Sequence, residues 1–347
     1  MPYNTDFGPL DLAMIHKYCL QLEQILQHPE NSKLSVYHYT CHQPSKRANS
    51  ALLMAAYQVL ILNRTAQEAW SFFETLPRFL FFRDASAEGS SFELHIIDCL
   101  NALAKAKDLG WYSIGNFDLE GYEKFSLPDN GGFNWILPKK FLAFANPATR
   151  KIQQGLSVEQ FVDLFKPLGV TGVVRLNTPD YDSSKFRRKG LNHYELFFED
   201  GSTPSHDLIS RFFGICLKEP CLAIHCQAGL GRTSTLIGAY LIKHFDFTGL
   251  EAIAWCRLCR PGSVLGPQQH FLCDYFNSLS SLPSSRITCM TPYEQHKAEF
   301  GDLGQAARFS SHSMREEPQV PISNKYKTKF NQLAQIDPAL LRLYSKK

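Results

Sequence analysis

A cysteine and an arginine six residues apart, with two glycines between them, can both hold a phosphate and attack it; the stretch His225-Cys226-Gln227-Ala228-Gly229-Leu230-Gly231-Arg232-Thr233 has this form. Gly229 and Gly231 permit backbone angles that turn successive N–H groups inward. Gln227, Ala228, Gly229, Leu230, Gly231 and Arg232 then form an anion nest, backed by the positive end of the helix that follows. Arg232 adds a planar fork that fits two phosphate oxygens. A free thiol has a pKa of about 8.5, and positive surroundings of this kind lower it, which makes Cys226 a competent nucleophile. Thr233 stands where its hydroxyl can hydrogen-bond the cysteine sulfur when that sulfur later leaves.

The chain contains its own control, because Cys41-His42-Gln43-Pro44-Ser45-Lys46-Arg47 has the same spacing. That loop has no glycine, Pro44 removes one N–H donor, and Ala48 stands where a hydroxyl would be wanted. It is read as a degenerate copy kept for packing and contacts between domains.

The elements around Cys226 follow from periodicity. Ser157 with Gln160 reads as a capping box, and Val158, Phe161, Val162, Leu164 and Phe165 then repeat at helical spacing to a stop near Gly169. Thr171 to Asn177 and Cys221 to Cys226 are short apolar or β-branched runs suited to a sheet covered on both faces. Leu208, Ile209, Phe212, Phe213 and Cys216 mark a helix between them. TSTLIGAYLIKHF and Glu251 to Cys259 add two more. The order predicts an α/β layer with a parallel sheet, whose sites lie at the carboxyl ends of the strands. The first third shows a weaker version: a strand over Val36 to Cys41 and a buried helix over Ala51 to Leu62. Two related domains in tandem are therefore expected: a non-catalytic one over 1–115, an acidic linker over 116–131 and a catalytic one over 132–282. The tail over 283–347 reads as largely disordered, with a short helix near Lys325 to Tyr344.

Composition narrows the partners. The 347 residues carry 36 Lys+Arg against 33 Asp+Glu, a formal charge of +3, with 44% hydrophobic residues. Such balance leaves no polycationic footprint for nucleic acid. No apolar run approaches the roughly 20 residues a membrane helix needs, and Asp6 and Asp11 stand where a signal peptide would be basic and apolar. An intracellular chain is expected, and with it free thiols for the ten cysteines. Cys256 and Cys259 form a CxxC without a second ligand pair, so a buried helix is expected there and no metal site. Trp135 and Trp255 are expected in the core, His225 is expected to orient the loop, and Arg260 either supports the loop or simply ends a helix.

Further segments carry a resemblance: FNWILPKKFLAFANP (Phe133 to Pro147), VVRLN (Val173 to Asn177), ELFFEDGSTPS (Glu195 to Ser205) and RPGSVLGPQQHFL (Arg260 to Leu272). Together with the Cys226 loop they resemble the cell-division-cycle phosphatases of mitotic exit, the "Cdc-fourteen" family of dual-specificity protein phosphatases in the protein tyrosine phosphatase superfamily. HYTC…KRANSALL (His38 to Leu53) and FRDAS (Phe82 to Ser86) extend the resemblance into the first third. It implies two tandem dual-specificity-phosphatase-like domains, each a central mostly parallel sheet flanked by helices, with the second catalytic and no metal or organic cofactor. It implies phosphoprotein substrates in which a phosphoserine-proline site precedes a basic residue, with phosphotyrosine also hydrolysed. Cys226 becomes the nucleophile, Arg232 the phosphate clamp, and Asp200 the general acid and later base.

Glu199 is adjacent and chemically able, so spacing alone does not separate the two acids; the family's FF-x-DGSTP pattern favours Asp200. Gln268 or Gln269 would position water, with Gln268 favoured. Asp118, Glu120 and Glu123 would line an acidic substrate groove, although Gly121 stands where the family carries another acid. Ser234 replaces the family's usual glycine and should be tolerated at a helix start. The implied setting is cell-cycle control, in the nucleus, nucleolus or cytoplasm or at spindle poles or basal bodies. No nucleic-acid or membrane partner follows, and the oligomeric state is open. The rival readings are a phosphoinositide phosphatase, disfavoured because Gln227 and Leu230 supply no loop lysine, and a catalytically inactive phosphoprotein-binding module.

Overall fold

The structure, a computed structural model, describes residues 7–85, 92–147 and 155–280. The chain divides into two units, Met1–Ser285 and Arg286–Lys347. The tail expected over 283–347, with its helix near 325–344, lies outside the described residues.

The N-terminal half is helical: α1 (Leu12–Gln27), α2 (Pro44–Leu60), α3 (Ala66–Ser71) and α4 (Ile96–Asp108). Asp11 caps α1 by accepting from the Met14 N–H, and Pro44 starts α2, where its missing N–H costs nothing. The apolar faces of these helices bury Ile15, Leu52, Ala55, Leu100 and Leu103 together. One expectation fails here. Val36 to Cys41 is exposed and forms no strand, and the only pairing described in this half is an isolated bridge between Phe82 and Leu94. The alternation of Val, Tyr and Tyr has β-propensity, but propensity makes a strand only where a neighbouring strand and a buried face receive it. The sheet expected for the N-terminal half is therefore absent among the described residues, and the α/β layer belongs to the C-terminal half.

The expected connection contains a helix, α5 (Leu119–Ser126), capped by Asp118. After it come β1 (Phe133–Leu137), β2 (Phe141–Phe144), α6 (Val158–Phe165), β3 (Gly172–Arg175), α7 (Ser184–Arg188), β4 (Asn192–Glu195), α8 (His206–Lys218), β5 (Leu222–His225), α9 (Gly231–Phe245), α10 (Gly249–Cys259) and α11 (Pro267–Ser280). The sheet runs β1-β2-β5-β3-β4, antiparallel only between β1 and β2. The Ser157–Gln160 capping box forms as read. The hairpin and β4 escaped the sequence reading. β1 and β2 are buried on both faces, so they carry no alternation, and β4 shows a mixed pattern because it lies at the edge.

Register fixes where a site can be. Phe144 and Arg175 both pair with His225, and Arg175 pairs with Glu195. The four parallel strands thus end level, and their following loops gather at one edge of the sheet. The two halves share a core around α4 and α10: Trp111 stacks on Phe247 at 5.5 Å, and Lys105 pairs with Glu251 at 2.8 Å.

Candidate active site

Cys226 immediately follows β5, and the loop after it runs into α9 at Gly231. Gly229 sits at φ +68°, and a Cβ there would stand 1.9 Å from the Phe144 carbonyl oxygen, so no other residue fits. Arg260, nearly buried, closes the loop from behind: Nε donates to the Gly229 carbonyl at 2.9 Å, Nη2 to Ala228 at 3.1 Å and Nη1 to Asn134 Oδ1 at 2.7 Å. The Asn146 N–H donates to the Gln227 carbonyl at 3.0 Å. With its carbonyls turned outward to these donors, the loop keeps its N–H groups for an anion.

Arg232 is buried, and Nη1 donates to the carbonyls of Phe198 at 3.0 Å and Leu176 at 3.3 Å. Its Nε lies 3.0 Å from Asp200 Oδ1 but is not aligned for a hydrogen bond, and Asp200 is largely exposed. The acid loop and the phosphate loop therefore meet at one guanidinium. Glu199 is exposed, and its carbonyl accepts from the Ser202 hydroxyl and N–H in the turn that follows. Thr233 is fully buried, and its hydroxyl has no partner among the described residues. Ser234, in place of the usual glycine, bonds to the Ser263 hydroxyl at 2.9 Å.

His225 is fully buried, and burial pulls its pKa down to about 3, so it is neutral. Its Nδ1–H donates to the Cys226 carbonyl (3.0 Å), which leaves Nε2 to accept from the Tyr181 hydroxyl (2.8 Å); the Tyr181 oxygen in turn accepts from His193 Nε2 (2.8 Å). Burial keeps Tyr181 protonated, and His193 is likewise pulled down to about 3. This chain orients the strand end behind the cysteine.

The two glutamines separate clearly. Gln269 is consumed internally, accepting from Arg257 at 2.6 Å and donating to Asp84 at 3.1 Å. Gln268 accepts from the Leu265 N–H at 3.2 Å, donates to the Ser202 carbonyl at 3.0 Å, and lies against Gly231. Of the pair, Gln268 touches both the acid loop and the phosphate loop.

Asp84, buried, comes from the N-terminal half and accepts from the Gly266 N–H at 2.6 Å as well as from Gln269. Sequence reasoning missed this contact and that of Tyr181, because neither residue has a spacing that points to a partner so far along the chain. Asp118, Glu120 and Glu123 all lie on or beside α5. Asp118 is used as its cap, accepting from the Gly121 N–H at 3.0 Å; Glu123 is paired with Lys17; Glu120 is exposed. A Cβ at 121 would meet the Asp118 carboxylate in its capping position, so a larger residue there would move the cap aside.

Several other thiols are shut away in the core. Burial raises Cys19, Cys216 and Cys256 to about 12, which keeps them protonated and inert. Trp255 is core, with its indole N–H on the Ile136 carbonyl at 2.8 Å, and Trp135 is partly buried. Among the described residues no cluster of His, Cys, Asp or Glu could hold a metal, and no helix is long and apolar enough to cross a membrane.

Two family models match: the N-terminal half of dual specificity protein phosphatases over residues 1–106, and a polymorphic toxin system DSP-PTPase phosphatase over residues 153–246. The human dual specificity protein phosphatase CDC14A is 46% identical over 277 residues, 78% of this chain and 47% of that protein. Mouse CDC14B is 42% identical over 278 residues, 78% of this chain and 57% of the relative. The chain thus spans about half the length of the curated relatives it matches. A crystal structure of PTPMT1 in complex with PI(5)P is 20% identical, with a TM-score of 0.37, covering 43% of this chain and 97% of the other. Across the stretch shared with these relatives, the chain belongs to the CDC14 dual specificity phosphatases.

Proposed function

We propose that this chain hydrolyses phosphoserine and phosphothreonine before proline, and phosphotyrosine, in protein substrates, through a phosphocysteine intermediate. The observation that carries the reading is the meeting of the acid loop and the phosphate loop at Arg232, 3.0 Å from Asp200. In the first step Cys226 Sγ bonds to phosphorus as the P–O bond to the substrate breaks. Asp200 gives its proton to the leaving oxygen. A serine alkoxide is a poor leaving group, so this proton matters most for phosphoserine. The loop N–H groups of residues 227–232 and the Arg232 fork hold the phosphoryl oxygens.

In the second step water attacks phosphorus, the S–P bond breaks, and the Asp200 carboxylate takes the water's proton while Gln268 holds the water. Thr233, a buried hydroxyl without a partner among the described residues, supports the departing sulfur. No step calls for a metal or organic cofactor. The halves 1–115 and 132–282 are read as supporting and catalytic domains, joined through 116–131, with 283–347 as an appended tail. Selection of a basic residue after the proline is assigned to Asp118, Glu120 and Glu123. It should be modest, because Glu123 already shares its charge with Lys17. Cell-cycle control is the setting that the relatives support, with a nuclear, nucleolar, cytoplasmic, spindle-pole or basal-body location.

A matched peptide set tests this: phosphoserine-proline with a downstream lysine, its Pro→Ala and Lys→Ala versions, and a phosphotyrosine control. The expected result is a large loss on removing proline and a small one on removing lysine. Equal turnover of all four would contradict the substrate assignment, and no turnover of any would leave a phosphoprotein-binding module.

A further inference from the structure

β4 is the open edge of the sheet. Asn192 and Leu196 direct their N–H groups to β3, donating to the Thr171 and Arg175 carbonyls at 2.9 and 3.0 Å. Because backbone groups alternate along a strand, the N–H and C=O groups of His193 and Glu195 face away from the sheet, where no described strand meets them. Opposite this edge stands one face of α8, formed by Arg211, Gly214, Ile215 and Lys218 at the i, i+3, i+4, i+7 positions. The groove between them, lined by residues 193–196 and that helix face, holds about 520 Å³. Apart from its chain neighbours and the backbone of α8 itself, no described atom lies within 4 Å of where a Cβ on Gly214 would stand, so the groove is open above the glycine.

The charged side chains that α8 gives to the groove, Arg211 and Lys218, are both cations. Among the described residues Arg211 and Lys218 are exposed and have no carboxylate partner. Of the nearby acids, Glu195 is held bidentate by Arg175 at 2.7 and 2.9 Å, Glu219 is turned to the neutral donors Tyr194 at 2.5 Å and Asn192 at 2.6 Å, and Asp207 lies one turn before Arg211, outside the groove lining. His193 and Tyr194, also in the lining, are both neutral, His193 because burial pulls its pKa down and Tyr194 because burial raises its own. An open strand edge offers a ladder to an extended chain, and the cations beside it choose the side chains of that chain.

We propose that the β4–α8 groove docks an extended acidic segment of a phosphoprotein substrate, added to the sheet as a further strand. β4 continues directly through Leu196 to Phe198 into the loop that ends at Asp200, so a docked segment would lie beside the acid loop. The docking role rests on the phosphatase reading; the binding itself does not.

The test uses the full chain and two probes: a fluorescent peptide of alternating Glu and Val with its Lys-Val counterpart, and a phosphoserine-proline peptide with and without the Glu-Val tail. Fluorescence anisotropy should show saturable binding of the Glu-Val peptide, at least about tenfold tighter than of the Lys-Val one. Gly214→Leu, which fills the groove, and Arg211→Glu with Lys218→Glu, which reverses its charge, should each weaken that binding by about tenfold or more. Both should leave turnover of the untailed peptide unchanged. The tail should lower KM in the wild type and not in either variant.

No saturable binding up to about 1 mM, binding indifferent to both variants, or a tail without effect on KM overturns the proposal. So does a dimer in sedimentation that either variant dissolves, since that would give the groove to a second copy. Failure to turn over the untailed peptide would instead fault the phosphatase reading, with anisotropy still reporting on the groove.

Discussion

Between Cys41 and Arg47 the chain leaves an exposed extended segment and enters α2 at Pro44, whereas between Cys226 and Arg232 it leaves a central parallel strand and enters α9 through Gly229 and Gly231. Arg47 is spent on packing, donating to the Pro77 carbonyl at 3.0 Å and lying 4.8 Å over the Phe79 ring. Arg232 is held among carbonyls within reach of an acid. Cys41 is exposed with no strand behind it; Cys226 is buried at a strand end braced by His225, Tyr181 and Arg260. Equal spacing thus gives different surroundings: only the second loop leaves a sheet and has outside donors that turn its carbonyls away. The N-terminal half contributes by another route, through Asp84 on the loop that carries Gln268.

The comparison can be broken most severely at the acid. Asp200→Asn should lower kcat for a phosphoserine-proline peptide by about 10²–10⁴-fold, and less for phosphotyrosine, whose leaving group needs the proton less; steady-state assays of both substrates check this. Gly229→Ala drives a methyl into the Phe144 carbonyl. It should cost about 1–3 kcal/mol of stability and, by displacing the loop, about 100-fold in kcat/KM, while Ser45→Ala, at the matching stretch in the first turn of α2, should change neither. Asp84→Ala sharpens the role of the N-terminal half. It removes an acceptor of two N–H bonds, should loosen the Gln268 loop by about 1–3 kcal/mol, and should slow hydrolysis of the phosphocysteine more than its formation. A larger pre-steady-state burst relative to turnover would report that.

The smallest effect is one of pH. His16 in the first half is pulled down to about 4 by burial, and His193 and His225 in the second to about 3, so all three are neutral when folded near pH 7. The unfolded chain binds these protons from about pH 6.5 downward. Their contribution to stability is therefore complete above that pH and is lost as pH falls toward 3–4. Urea midpoints should decline over this window, and His225→Gln should flatten the decline.

The Cys226 loop was legible because its chemistry is local: thiol, glycines, arginine and hydroxyl are contiguous, and the strand and helix flanking them are buried and periodic. Asp200 needed the family pattern, since Glu199 has the same chemistry one residue away. Arg260 could be read either as a support of the loop or as a plain helix end, and Asp84 and Tyr181 stayed hidden, because each acts across a long separation that no spacing rule encodes. The strand read at Val36 to Cys41 failed for the complementary reason: its residues suit a sheet, and no described strand pairs with them.

The central claim, one reactive cysteine out of two with the same spacing, is tested by acid-quenching the enzyme during turnover of a radiolabelled phosphopeptide. Wild type and Cys41→Ser should trap equal covalent label and turn over equally, while Cys226→Ser should bind the peptide and trap none. Label that persists in Cys226→Ser, or that disappears in Cys41→Ser, would contradict the account.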